Sequence, residues 1–226
     1  MAGERPLIIS IVGTRPEAIK MAPVARALKR RRGLDHLLLL TGQHPGLERW
    51  FERTDSRLRA LPYDPRGRSA KALRQSLQAL LCAHLRLEPV ELVLVQGDTA
   101  SAYAGALAAR RCGIAVGHVE AGLRSFDLRQ PHPEEGHRIA IDSVSELLFA
   151  PTETAAENLR RDRRVGGRIR VTGNTGIDAL LEMRSRLEHR SSVDSDRRRL
   201  IVATCHRREN QGRAALAVYE TLKRLV

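Results

Sequence analysis

The chain has 226 residues, of which 42% are hydrophobic and only 3% aromatic, and it carries a formal charge of +13. That length allows one good core, or one domain with part of another, and no apolar run reaches the roughly 18 residues that a membrane-spanning helix needs. Lys20, Lys29, Lys71 and Lys223 are the only lysines among 39 cations. The arginines are spread along the whole chain and aromatic stacking platforms are scarce, which argues against a nucleic-acid partner.

The N-terminus, MAGERPLIIS, passes straight from charge into a short apolar run, without the apolar core and cleavage site of a signal peptide. Leu7–Val12 predicts a strand and Pro16–Arg31 a helix. Thr14 and Glu17 are spaced as a capping box, and Pro16 sits in the first turn, where its missing N–H costs nothing. Leu37–Leu40 is a second strand ending in TGQH, and Ser69–Leu87 a long amphipathic helix. Leu92–Val95 is a strand ending in QGDTAS, followed by an alanine-rich helix to Arg111. Ile114–Val119 is a strand ending in EAGLRS. Pro133–Val144 is helical, Leu147–Ala150 a strand, Glu153–Arg161 a helix, Ile169–Val171 a strand ending in TGN, and Gly176–Leu187 a helix. The polar stretch around 190–198 reads as a linker. Leu200–Ala203 starts a new strand, CHRREN follows it, and Arg213–Leu225 is a final helix.

Short apolar strands alternating with helices predict a parallel sheet covered on both faces. The domain reading is a Rossmann-like α/β unit over 1–189, a linker over 190–198, and the start of a second such unit over 199–226. A complete second unit would need roughly 100–150 residues, so the second is incomplete. In this class ligands sit at the carboxyl ends of the strands. The loops after the strands carry Arg15, Lys20, His44, Asp98, Glu120 and Arg124. Cations and carboxylates crowded at one edge point to a polar anionic ligand and acid–base chemistry upon it.

There is no G-x-G-x-x-G and no Walker A loop, so any phosphate grip comes from side chains and helix starts. HPEEGH has its histidines five apart, with Pro133 and Gly136 between, which does not suit a zinc site. Cys82, Cys112 and Cys205 are scattered and odd in number, as expected of reduced thiols in the cytoplasm. Taken singly, Asp98 is equally a helix N-cap. Glu120 directly follows an apolar strand, and a poorly solvated carboxylate in that position suits acid–base work near neutral pH. Glu134 and Glu135 begin a helix, where the macrodipole favours acids and capping accounts for at least one of them. Arg138 lies one turn beyond Glu134, the spacing of an ordinary surface pair. His206, beside Arg207 and Arg208, belongs to a cationic loop suited to a diphosphate.

In order along the chain stand GTRPEAIKMAP, TGQH, GDTAS, GHVEAGLRS, PEEGHR, PTETAAENL, VTGNTGIDALL and HRREN. Together they resemble the non-hydrolysing bacterial UDP-N-acetylglucosamine 2-epimerase family, from Leu7 to Val226. The resemblance implies two Rossmann-like domains of the GT-B type with the active site between them, here with the second cut short. It implies a cytoplasmic homodimer without a cofactor or metal that interconverts UDP-GlcNAc and UDP-ManNAc. In that chemistry UDP leaves C1 as a base takes the C2 proton; UDP then adds back to the resulting 2-acetamidoglucal while a proton arrives on the other face. Asp98, Glu120 and Glu134 match the family's acid–base carboxylates, and Arg15, Lys20 and His206 its substrate contacts, with His206 counted in the catalytic set. Arg138 matches a further active-site arginine. A second UDP-GlcNAc acts as activator in the family, and Gln43 and Arg207 are the candidates for holding it.

Two departures accompany the match. Cys205 and His137 stand where a glycine and an asparagine are expected, and the family's later serine–glycine–glycine loop and glutamates are absent. The alternatives are a hydrolysing epimerase releasing UDP and ManNAc, a GT-B glycosyltransferase, and a truncated, non-catalytic partner that binds nucleotide sugar.

Overall fold

In the computed structural model, which describes residues 5–54, 56–62, 70–188, 203 and 212–224, the apolar runs build one sheet. Its strands are β1 (Leu7–Val12), β2 (Asp35–Leu40), β3 (Arg57–Ala60), β4 (Val90–Gln96), β5 (Ala115–Val119), β6 (Leu147–Ala150) and β7 (Arg168–Val171). They lie in the order β3-β2-β1-β4-β5-β6-β7, and every pairing is parallel. The helices are α1 (Arg15–Lys29), α2 (Ala70–Leu85), α3 (Ala100–Arg111), α4 (Glu134–Val144), α5 (Glu153–Arg161), α6 (Thr175–Glu188) and α7 (Arg213–Lys223). None of the described helices is long and apolar enough to cross a membrane.

The two-residue period of a strand decides which side chains meet which helix. Leu7, Ile9 and Ile11 of β1 join a core with Leu77 and Leu81 of α2 and the alanines of α3. Ile8 and Val12 point the other way, into a core with Ala18, Met21 and Ala25 of α1. A third cluster seats α5 on β6 through Leu148, Ala156 and Leu159.

The chain runs outward from β1 to β3, then returns to place β4 on the other side of β1. The carboxyl ends of β1 and β4 therefore feed helices on opposite faces, and a crevice opens between α1 and α3. This is the switch point at which open α/β sheets bind ligands.

α3 lies very close to the sheet because its inner face is made of small residues: Ser101, Ala102, Ala104, Gly105, Ala106, Ala108 and Ala109 are all buried. A Cβ on Gly13 would come within 1.8 Å of Ser101 Oγ, and one on Gly105 within 2.8 Å of Ile11 Cδ1. The end of β1 and the start of α3 are thus almost in backbone contact.

The strand β3 was not expected. Its sequence, RLRA, has no apolar run because it is an edge strand; Arg59 and Arg57 reach Glu88 at 2.8 and 4.0 Å. The other edge, β7, alternates likewise, with Arg168 and Arg170 exposed. The first helix ends at Lys29 rather than Arg31. The chain divides into two units, 1–189 and 190–226. In the second, α7 is the element described; the expected linker at 190–198 and all of the expected strand but Ala203 lie outside the described residues.

Candidate functional site

Three strand ends supply the site. β1 leads through Gly13–Thr14 into α1; β4 ends in Gln96 and leads through Gly97–Asp98–Thr99 into α3; β5 leads directly into Glu120. A cavity of about 300 Å³ lies where they converge, and Lys20, Asp98, Glu120 and Arg138 all line it.

Glu120 has φ 70, a left-handed conformation that residues bearing a Cβ adopt rarely and that glycine usually occupies. The turn brings its carboxylate back towards α1. Lys20 Nζ donates to Glu120 Oε2 at 2.5 Å, and Gln96 Nε2 donates to the same oxygen. Only 13% of the Glu120 side chain is exposed, against 29% for Lys20.

Asp98 is not the cap of α3. Thr99 is, its hydroxyl accepting the Ala102 N–H at 3.1 Å. The Asp98 carboxylate instead receives Arg138, with Nη2 at 2.6 Å and Nε at 2.8 Å from Oδ2. Arg138 also donates to Glu135, at 3.2 Å, so its partners are Asp98 and Glu135 rather than a surface pairing with Glu134. Glu135 is buried and accepts the N–H groups of Ser125 at 3.0 Å and Phe126 at 3.1 Å. Of the two adjacent acids it has the structural task, as a clasp on the loop before α4.

Glu17 also lines the cavity and is buried. Its Oε2 accepts the N–H groups of Gly13 at 2.9 Å and Thr14 at 2.6 Å, and its Oε1 accepts the Thr99 hydroxyl at 2.5 Å. Burial pushes its carboxyl above the ordinary value, against the lowering effect of these hydrogen bonds. One carboxylate thus ties the start of α1 to the start of α3.

His137 stacks on Tyr103, ring centroids 4.6 Å apart, and donates from Nδ1 to the Asp98 carbonyl oxygen at 2.8 Å. Burial pulls its pKa below the ordinary histidine value, while the Asp98 carbonyl acts in the opposite direction. From behind, His118 meets Asp142 through Nδ1 at 2.6 Å and the Gly97 carbonyl through Nε2 at 2.8 Å. Two successive carbonyls of this turn, those of Gly97 and Asp98, are therefore held by histidines.

Glu134 and Gln43 line an adjoining cavity of about 250 Å³ that shares Asp98 and Thr99 with the first. Gln43 Oε1 accepts the Ser101 hydroxyl at 2.7 Å. Arg15 stands exposed at the start of α1, its backbone N–H donating to His44 Nδ1 at 3.4 Å. Arg124, expected at the ligand-facing edge, is instead buried against Asp142, with Nη1 at 2.6 Å from Oδ2. His206 and Arg207 lie outside the described residues. Gln96, Thr99 and Glu135 are not marked as site residues by the sequence, in which Glu17 reads only as a helix cap. The usable signal for Gln96 was a polar amide closing an otherwise apolar buried strand.

The family model described as UDP-N-acetylglucosamine 2-epimerase matches residues 26–226. The chain belongs to this family. The UDP-N-acetylglucosamine 2-epimerase of Bacillus subtilis (strain 168) is 37% identical over 97% of this chain and 58% of its own length. The putative UDP-N-acetylglucosamine 2-epimerase of Thermotoga maritima is 39% identical over 97% and 60%. The crystal structure of the Neisseria meningitidis UDP-GlcNAc 2-epimerase bound to UDP-GlcNAc superposes with a TM-score of 0.85 at 33% identity, covering 96% of this chain and 63% of that one. The S. aureus MnaA–UDP co-structure gives 0.84 at 33%, covering 97% and 58%. The chain thus spans about three-fifths of the length of the epimerases it matches, and its Rossmann-like sheet is the one these epimerases share.

Proposed function

We propose that this chain contributes the strand-end half of the active site of a non-hydrolysing UDP-N-acetylglucosamine 2-epimerase, interconverting UDP-GlcNAc and UDP-ManNAc as a homodimer in the cytoplasm. The observation that carries the reading is the pair of ion pairs facing one cavity, Lys20–Glu120 and Arg138–Asp98. A C2–H bond of a sugar is not acidic enough for simple proton abstraction. Elimination across C1 and C2 solves this, because the departing diphosphate takes up the electron pair as a base takes the proton. It requires a carboxylate at the ring and cations at the leaving group.

In the structure Asp98 and Glu120 are each bound to a cation. A diphosphate competes for Lys20 and Arg138, and the carboxylates they leave acquire free lone pairs beside the sugar. Substrate binding thereby arms the bases. Asp98 and Glu120 flank the cavity, and Glu134 stands in the adjoining one, so proton removal and return can use different carboxylates. Arg15 and His206 would meet the diphosphate, and Gln43 with Arg207 would hold an activating second UDP-GlcNAc. Glu17, Gln96 and Glu135 position the groups above them.

The test is proton NMR of UDP-GlcNAc in heavy water with the 226-residue chain and, separately, with a version extended to the length of the relatives. The expected result in the extended protein is loss of the C2 proton with growth of UDP-ManNAc. Asp98→Asn and Glu120→Gln should each abolish that exchange while leaving UDP binding within about threefold. Free ManNAc with UDP would favour the hydrolysing reaction, and near-normal exchange in either variant would remove that residue from the proton-transfer role.

A further inference from the structure

Away from the strand-end cavities, a larger one of about 390 Å³ opens between the loop after β5 and the end of α5. Four arginines line it, Arg124, Arg161, Arg163 and Arg164, against two acids, Glu135 and Asp162. Both acids are already engaged. Glu135 accepts the Ser125 and Phe126 amides and Arg138. Asp162 is held by Arg164 through two hydrogen bonds of 2.8 Å each. The cations are less fully matched. Arg161 has a single exposed contact, Glu157 at 3.2 Å, and Arg163 has no ion-pair partner among the described residues.

Arg124 is the deciding group. Its side chain is 4% exposed and its Nη1 is held by Asp142 Oδ2 at 2.6 Å, while its Nη2 has no hydrogen-bond partner and lies 3.7 Å from Asp162 Oδ2. A buried guanidinium nitrogen without an acceptor is costly, and an oxyanion is what satisfies it. Above the arginines Phe126 and Leu128 stand exposed at 81% and 62%, and Phe126 is held at φ 61. The cavity thus joins a cationic floor to an apolar rim.

We propose that this cavity is a second, separate binding site for a phosphate group, free or carried on a small apolar body, gripped by Arg124, Arg161 and Arg163. It shares no cation with the epimerase cavity and stands whether or not the epimerase reading does.

The experiment is calorimetric titration of the 226-residue chain with inorganic phosphate and with phenyl phosphate, at low and at physiological salt. Saturable binding is expected, weakened by salt as screening requires. All titrations carry Lys20→Met, which removes the phosphate-binding lysine of the other cavity; in that background Arg161→Ser with Arg163→Ser, both exposed and remote from the core, should weaken the binding at least tenfold. If phenyl phosphate binds at least tenfold more tightly than phosphate, and Phe126→Ser removes the difference, the ligand is an organic phosphate; equal affinity identifies the free ion. No saturable binding of either probe, or binding that survives the double arginine variant, overturns the proposal.

Discussion

Glu17 and His36 are both buried and respond to pH in opposite directions. Burial raises the Glu17 carboxyl above its ordinary 4.5. The folded protein then holds that proton more tightly than the unfolded chain does, so the associated stability is present below pH 4.5 and lost as pH rises through the folded value. Glu17→Gln keeps an oxygen for the Gly13 and Thr14 amides and offers Thr99 an N–H. It should match the parent near pH 4 and become progressively the more stable of the two towards neutrality, as read by melting temperature. His36 behaves inversely. Burial lowers it from 6.5 to about 4, with Ser10 Oγ at 2.9 Å from Nε2 and no partner for Nδ1. Its stability is complete above pH 6.5 and is lost as pH falls towards 4, a difference of roughly 3 kcal/mol. His36→Phe should remove most of that acid-limb loss in urea unfolding at the two pH values.

At the scale of elements, the closeness of α3 to β1 fixes the geometry of the site. Gly13→Ala places a methyl 1.8 Å from Ser101 Oγ, 2.4 Å from its Cβ and 2.6 Å from Thr41 Oγ1. None of these can yield without breaking the 2.8 Å Thr41–Ser101 hydrogen bond. The expected loss is about 3 kcal/mol or more by chemical denaturation. Gly105→Ala meets mainly the tip of Ile11 and should lose about 1 kcal/mol, because a side-chain end can turn aside. The same elements show what the sequence could disclose. β1, β6 and α5 have the bounds their residues predict, because a buried strand must be apolar and α5 begins at a Thr152 cap. Asp98, Glu120 and Lys20 were legible because chain order in a parallel sheet puts strand ends side by side. Their partners were not. That Arg138 would choose Asp98, that Glu135 would clasp a loop, and that Arg124 would turn inward to Asp142 all depend on crossing distances between elements that no local pattern encodes. For the same reason RLRA gave no sign of β3.

At the scale of the molecule, one topological reversal between β1 and β4 gathers charged groups from distant parts of the chain: Lys20 and Glu120 are 100 residues apart, Asp98 and Arg138 40. The arginine-rich composition also has a role unrelated to any ligand. Arg57 and Arg59 flank one edge of the sheet, Arg168 and Arg170 the other. Arg57 and Arg59 share the one carboxylate of Glu88, so each border keeps an excess of positive charge, which opposes the alignment of a neighbouring chain's strand along it. The guard is electrostatic, so concentrated salt or a polyanion relaxes it. Clear solutions in dilute buffer, and self-association on adding either, follow from where these four side chains stand.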